Sequence, residues 1–179
     1  MDQKSLEGIL LKALTELYTR DLILIEINVN ERSISHKLAS YLQIEIDFLG
    51  QKWDVDCEYN RMVSDMDDGF ITKRLDLTVD NISSDDTKAK TVFPDIIIHH
   101  RGKKGSEDNL LVLEMKKDSD RDDHDLKKLR AYGEQLDYNF ALYLNITKEE
   151  ARGHWIRVDG SLTAENYQPF IFKPKSRLA

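Results

Sequence analysis

Three side chains within residues 93–117, FPDIIIHHRGKKGSEDNLLVLEMKK, bring chemistry to a place where it is costly. Asp95 opens the aliphatic run Ile96–Ile98, Glu114 closes the run Leu110–Leu113, and Lys116 follows two residues later. Side chains alternate along a strand, so Glu114 and Lys116 point to one side of a sheet, Leu113 and Met115 to the other. If Asp95 lies on a neighbouring strand and the same face, two carboxylates and an ammonium converge. Unpaired carboxylates in a partly apolar setting repel each other and carry a heavy desolvation penalty. A divalent cation removes it. An all-oxygen site with open positions suits Mg²⁺ or Mn²⁺ better than a soft metal. Such an ion lowers the pKa of bound water and stabilises charge developing on a phosphoryl oxygen. Lys116 beside it can orient or deprotonate the attacking water and neutralise the transition state.

Each fragment also has a plainer reading. Asp95 follows Pro94, where Asp serves as a turn residue, and Glu114 with Lys116 could be an exposed pair worth little in stability. Singly, PD and ExK arise often by chance. The combination carries the case, because each fragment ends an apolar strand and the two strands are close enough in sequence to pair as a hairpin.

The elements that must hold these groups can be read from periodicity. Leu6, Ile9, Leu10, Ala13, Leu14 and Leu17 mark an amphipathic helix of about four turns. DLILIEINVN (21–30) suits either a helix or a short strand. Asn30 is a plausible N-cap for a second helix, with Ile34, Leu38, Tyr41 and Leu42 on its apolar face. Glu31 stands on or beside that stripe, although a first-turn glutamate is ordinarily explained by the helix dipole. WDVDCEY (53–59) alternates as a strand, as does RLDLTV (74–79), and DNISSDDTKAK (80–90) reads as a solvated connection. Strands follow at 92–100 and 109–116. A helix is expected from about 122 to 138 on Leu126, Leu129, Tyr132 and Leu136, with its aspartate-rich start complementing the dipole. NFALYLNI (139–146) is a further strand; HWIRVD (154–159) and PFIFKP (169–174) are weaker ones. The order predicts an α/β domain with a mixed sheet and helices on both faces.

Pro94-Asp95 and Glu114-Met115-Lys116, with 18 residues between the two acids, resemble the PD-(D/E)xK phosphodiesterase superfamily and its restriction-endonuclease-like fold. The likeness covers about residues 30–146 and implies an αβββαβ core. Residues 1–29 would be a helical extension and 147–179 an elaboration, within one domain spanning 1–179. By that resemblance Asp95 and Glu114 bind the metal, the Met115 carbonyl completes its shell, and Lys116 is the catalytic lysine. Glu31 takes the place of the first-helix glutamate that many members carry. A basic residue on the helix after the ExK strand falls to Lys127 or Lys128. The implied activity is Mg²⁺- or Mn²⁺-dependent hydrolysis of nucleic-acid phosphodiester bonds, with DNA as partner, in defence, restriction or repair. The competing implications are a catalytically silent binding or regulatory subunit of a larger assembly, and a plain structural domain.

Composition is compatible with these readings. A chain of 179 residues is expected to form one domain and to bury roughly 70% of its unfolded surface. The lone Cys57 excludes an internal disulfide, and alternation makes it a small buried hydrophobe rather than a nucleophile. The N-terminus lacks a signal-peptide pattern, and no window is long and apolar enough for a membrane span. The expectation is a soluble cytoplasmic protein. A net charge of −7 argues against a basic coat protein, but local clusters matter more to an enzyme on nucleic acid. Basic groups gather in RGKKG (101–105), KKLR (127–130) and KPKSR (173–177), while DSDRDDHD (118–125) holds five aspartates in eight residues. His99 shares the Asp95 face and is a candidate substrate contact, with a satisfied structural histidine as the plainer reading. Asp56 and Glu58 share a face with Asp54 as a solvated or edge row. No Walker-type loop or Ser-His-Asp pattern occurs.

Overall fold

The computed structural model describes residues 1–64, 69–75, 90–117, 123–156 and 167–175. Helix α1, Gln3–Arg20, begins where the Asp2 carboxylate accepts the Ser5 N–H at 2.8 Å, and it buries the expected stripe from Leu6 to Leu17 together with Tyr18. The ambiguous segment resolves as a short helix, α2, Leu22–Glu26, which ends before Asn28 takes a φ of 60°. Helix α3, Glu31–Phe48, is capped by Asn30, whose side chain accepts the Ser33 N–H at 2.9 Å, and buries Ile34, Leu38, Leu42 and Ile46.

Six strands form the main sheet: β1 (Asp54–Asp56), β6 (Ile96–His99), β7 (Asn109–Lys117), β8 (Phe140–Ile146), β9 (Ala151–Ile156) and β10 (Tyr167–Phe172). Their spatial order is β1-β6-β7-β8-β9-β10. All neighbours are antiparallel except β7 and β8, which run parallel. A parallel pair needs a crossover, and helix α4, Asp123–Leu136, supplies it. Between β1 and β6 lie two small hairpins, β2 (Arg61–Val63) with β3 (Phe70–Thr72), and β4 (Arg74–Leu75) with β5 (Lys90–Thr91).

Helices cover both faces. Ile96, Ile98, Leu111, Leu113, Met115, Leu142 and Leu144 pack with α1 and α3; Ile97, Val112, Ala141 and Tyr143 pack with Leu126, Leu129 and Tyr132 of α4. Burial on both sides explains why β6 and most of β7 read as unbroken apolar runs. The start of β7 is tied to the end of α4, because Asn109 Nδ2 donates to the Leu136 carbonyl at 2.7 Å.

Several sequence boundaries shift. The expected 53–59 strand pairs only over Asp54–Asp56, because Glu58 adopts a φ of 51° and gives its N–H to the Pro94 carbonyl at 2.9 Å. The expected 74–79 strand is paired at Arg74–Leu75, and residues 76–79 lie outside the described residues, as do 80–89 of the connection and 118–122 of the acidic run. β9 starts at Ala151, three residues before the expected strand, whose residues 157–159 are also outside the described set. Cys57 is half-buried, and burial pushes its thiol up to about 11, so it stays an un-ionised packing group. No helix among the described residues is long and apolar enough to cross a membrane.

Candidate metal centre on β6, β7 and α4

Ile96, the first residue of β6, pairs with Leu113 of β7, so Asp95 in the bend just before it comes close enough for its charge to act on Glu114 and on Lys116. Glu114 and Lys116, two residues apart on β7, point to one face of the sheet. The three groups singled out in the sequence are therefore gathered at one end of the central strands.

Asp95 leaves the bend after Pro94, and its Oδ2 accepts the Met115 N–H at 2.7 Å. Burial pushes its carboxyl above the ordinary value, opposed by the Met115 N–H, Lys128 and Lys116. Glu114 is only 3% exposed. Burial drives its carboxyl up to about 8, with Lys128 opposing and the nearby Asp95 charge adding to the rise. Lys116 behaves differently. Burial alone would depress its ammonium, but Asp125, Glu31 and Asp95 outweigh that and raise it. It is thus held as a cation at neutral pH, suited to orienting and neutralising an anion rather than to abstracting a proton.

Glu31 is also brought here. From the first turn of α3 its Oε1 accepts the Lys117 N–H at 3.1 Å, while Lys117 Nζ donates to the Val29 carbonyl. These bonds tie the start of α3 to the end of β7.

Helix α4 adds two residues. Lys128 Nζ stands 2.7 Å from Glu114 Oε1, and Asp125 Oδ2 stands 3.4 Å from Lys116 Nζ. The open choice on this helix falls to Lys128; Lys127 is exposed. Asp125 was hidden in the acidic run, whose charge is explained at first sight by the helix dipole. Its phase was the available signal: Asp125, Lys128, Leu129 and Tyr132 fall at spacings of three and four on the face that meets the sheet.

His99 is not placed for substrate. It is 2% exposed, and its Nε2 lies 2.9 Å from Asp56 Oδ2, which also receives Arg101. Its imidazole is spent on holding β1 against β6. Asp54 and Asp56 both pair with Arg101, whereas Glu58 turns to Arg32.

Asp95 lines a cleft of about 190 Å³ together with Arg32, Ser35, His36 and Glu58. A shallower depression of about 420 Å³, bounded by Asn30 and Lys37, shares Arg32 and His36 with it. Asp95 is therefore reached past the first turns of α3, away from α4.

The donors suit a hard divalent ion. Asp95, Glu114 and the Met115 carbonyl offer oxygens only, and burial disfavours the charged form of both acids unless positive charge stands near them. Among the described residues no three His, Cys, Asp or Glu groups are clustered to hold a metal ion. Water and substrate oxygens would complete such a shell. No protein-family model, curated protein or solved structure matches the chain.

Proposed function

We propose that this protein is a Mg²⁺- or Mn²⁺-dependent nuclease of the restriction-endonuclease-like PD-(D/E)xK type, hydrolysing phosphodiester bonds of DNA in the cytoplasm. The Asp95 carboxylate bound to the Met115 N–H, between Glu114 and Lys116 and near both, is the observation that carries this reading. Topology supports it too. Helix α3, then β1, β6 and β7 in antiparallel succession, then α4 and the parallel β8, follow the αβββαβ order. On that view β2–β5 are an insertion, and β9 and β10 extend the far edge.

In this role Asp95, Glu114 and the Met115 carbonyl would hold the ion. When bound, it would lower the pKa of a water and withdraw charge from the phosphoryl group. Lys116, held protonated, orients the scissile phosphate and offsets charge as water attacks phosphorus and the bridging P–O bond breaks. Glu31 fixes the end of β7 that carries Lys116. Arg32 and Lys37 line the approach, paired with Glu58 and Asp21 and within reach of an incoming polyanion.

The test is incubation of purified protein with plasmid, linear and single-stranded DNA in Mg²⁺ or Mn²⁺. Cleavage is expected from the natural chain and not from Asp95→Ala or Lys116→Ala. No cleavage of any substrate, or cleavage indifferent to both substitutions, removes the reading.

One observation favours a second reading, a catalytically silent binding or regulatory subunit. Lys128 already stands against Glu114, and Asp125 already engages Lys116. Absence of divalent-metal binding by calorimetry, with a specific protein partner recovered from cell extract, would select it.

A further inference from the structure

We propose that Lys128 is a resident cation locking Glu114, so that a divalent ion can be held by Asp95 and Glu114 only when Lys128 leaves. The proposal rests on the nuclease reading and concerns the regulation of that same site.

The geometry carries it. The Lys128 ammonium and the Glu114 carboxylate are 2.7 Å apart, with side chains only 18% and 5% exposed, so little water screens or shares the pair. Magnesium-type ions bind carboxylate oxygen at about 2.1 Å and accept little distortion of their shell. An ion on the Glu114 carboxylate and an ammonium still held at its Oε1 would be two neighbouring cations in a poorly solvated space. One must go. Asp95 does not offer Lys128 a substitute place, because an ion bound there would repel it equally.

The surroundings let Lys128 move without undocking its helix. Its four-carbon stem is flexible, and α4 stays anchored by Leu126, Leu129 and Tyr132, all buried against the sheet. The second tie between α4 and β7, Asp125 with Lys116 at 3.4 Å, involves different atoms and can persist. Lys128 Nζ also lies 5.9 Å from the Tyr132 ring centre, a contact that steadies the locked position.

The test uses the full chain and Mn²⁺ alone, without substrate. Calorimetry at pH 8.5 compares the natural chain with Lys128→Met and Lys128→Arg. Removing the competitor is expected to tighten Mn²⁺ binding about tenfold, while Lys128→Arg stays close to the natural chain. Amine acetylation followed by mass spectrometry gives a second readout on the unmodified sequence, which decides the matter if Lys128→Met does not fold. Saturating Mn²⁺ is expected to raise labelling of Lys128 several-fold, leave Lys127 unchanged, and do neither in Asp95→Asn. Mn²⁺ that binds the natural chain and Lys128→Met equally, or leaves Lys128 labelling unmoved, overturns the lock while leaving the nuclease reading intact. Failure of every folded variant to bind Mn²⁺ overturns both.

Discussion

Asp95 reaches from the bend before β6 to the neighbouring strand, where its carboxylate takes the backbone N–H of Met115 at 2.7 Å. The acid is thereby fixed relative to Glu114 and Lys116 by a bond to the residue between them. Two substitutions separate its structural and chemical parts. Asp95→Ala orphans a buried N–H and is expected to cost about 1–3 kcal/mol of stability. Asp95→Asn can offer an amide oxygen to the same N–H and should cost less than half as much, yet lose Mn²⁺ binding as completely. Urea unfolding beside Mn²⁺ calorimetry checks this. Equal losses of stability, or metal binding kept by Asp95→Asn, would count against the dual role.

Glu114 gives a pH signature. Its folded carboxyl is pushed up to about 8, above the ordinary 4.5, chiefly by burial and despite Lys128. The folded state thus keeps a proton that the unfolded chain releases. The associated stability is complete below 4.5 and is lost as pH rises to 8. Glu114→Gln is neutral throughout, so its stability relative to the natural chain should improve across that window, by at most about 1.4 kcal/mol per pH unit. Unfolding midpoints at pH 5, 6.5 and 8 measure it; a difference that does not change with pH refutes the buried-acid account.

What the sequence displayed and what it hid follow from range. The stripes of α1 and α3 and the two-sided burial of β6 and β7 are local patterns, so they could be read directly. The Asp95–Glu114–Lys116 grouping needed only a hairpin. By contrast, the five residues of α2 are too few to display a helical period. The alternation of 53–59 overstates β1, because the chain turns away at Glu58 to meet Pro94, a partner remote in sequence. His99 is the satisfied structural histidine of the plainer reading, but its partner Asp56 lies 43 positions away and could not be named from the sequence. Choosing Lys128 over Lys127 required the rotation of α4 about its axis, which the sheet sets and the neighbouring lysines cannot reveal.

Lys73 tests the interior beyond the acids. It is 3% exposed, donates to the Tyr138 hydroxyl at 2.7 Å, and sits over the Tyr59 and Tyr138 rings. Burial lowers its ammonium from 10.5 to about 8, with only the Asp56 charge opposing. The folded state gives up a proton that the unfolded chain retains, so stability rises as pH goes from 8 to 10.5 and the penalty is full below 8. Lys73→Met should therefore stabilise the protein by roughly 1–2 kcal/mol at pH 7, with the gain shrinking by pH 10. Denaturant unfolding at both values decides it. A less stable Lys73→Met at pH 7 would show that the hydrogen bond and ring contacts outweigh desolvation.

Gly153 sets how closely β8 and β9 approach, and through β8 it bears on the site. It lies opposite Leu144, and a methyl carbon there would stand 2.0 Å from the Tyr143 carbonyl oxygen and 3.2 Å from Leu144 Cα. These are backbone atoms of a central strand and cannot yield as a side chain would. Tyr143 is in turn the register partner of Glu114 in the parallel β7–β8 pair. Gly153→Ala is therefore expected to part the ladder, cost about 3 kcal/mol or more, and weaken Mn²⁺ binding although no ligand has changed. Gly8 is the control. On α1 nothing lies within 4 Å of its added methyl, so Gly8→Ala should raise stability by about 0.5–1 kcal/mol through helix propensity alone. Urea unfolding of both variants separates a steric requirement from a generic glycine effect, and a Gly153→Ala chain as stable as the natural one would rule out the close approach of β8 and β9.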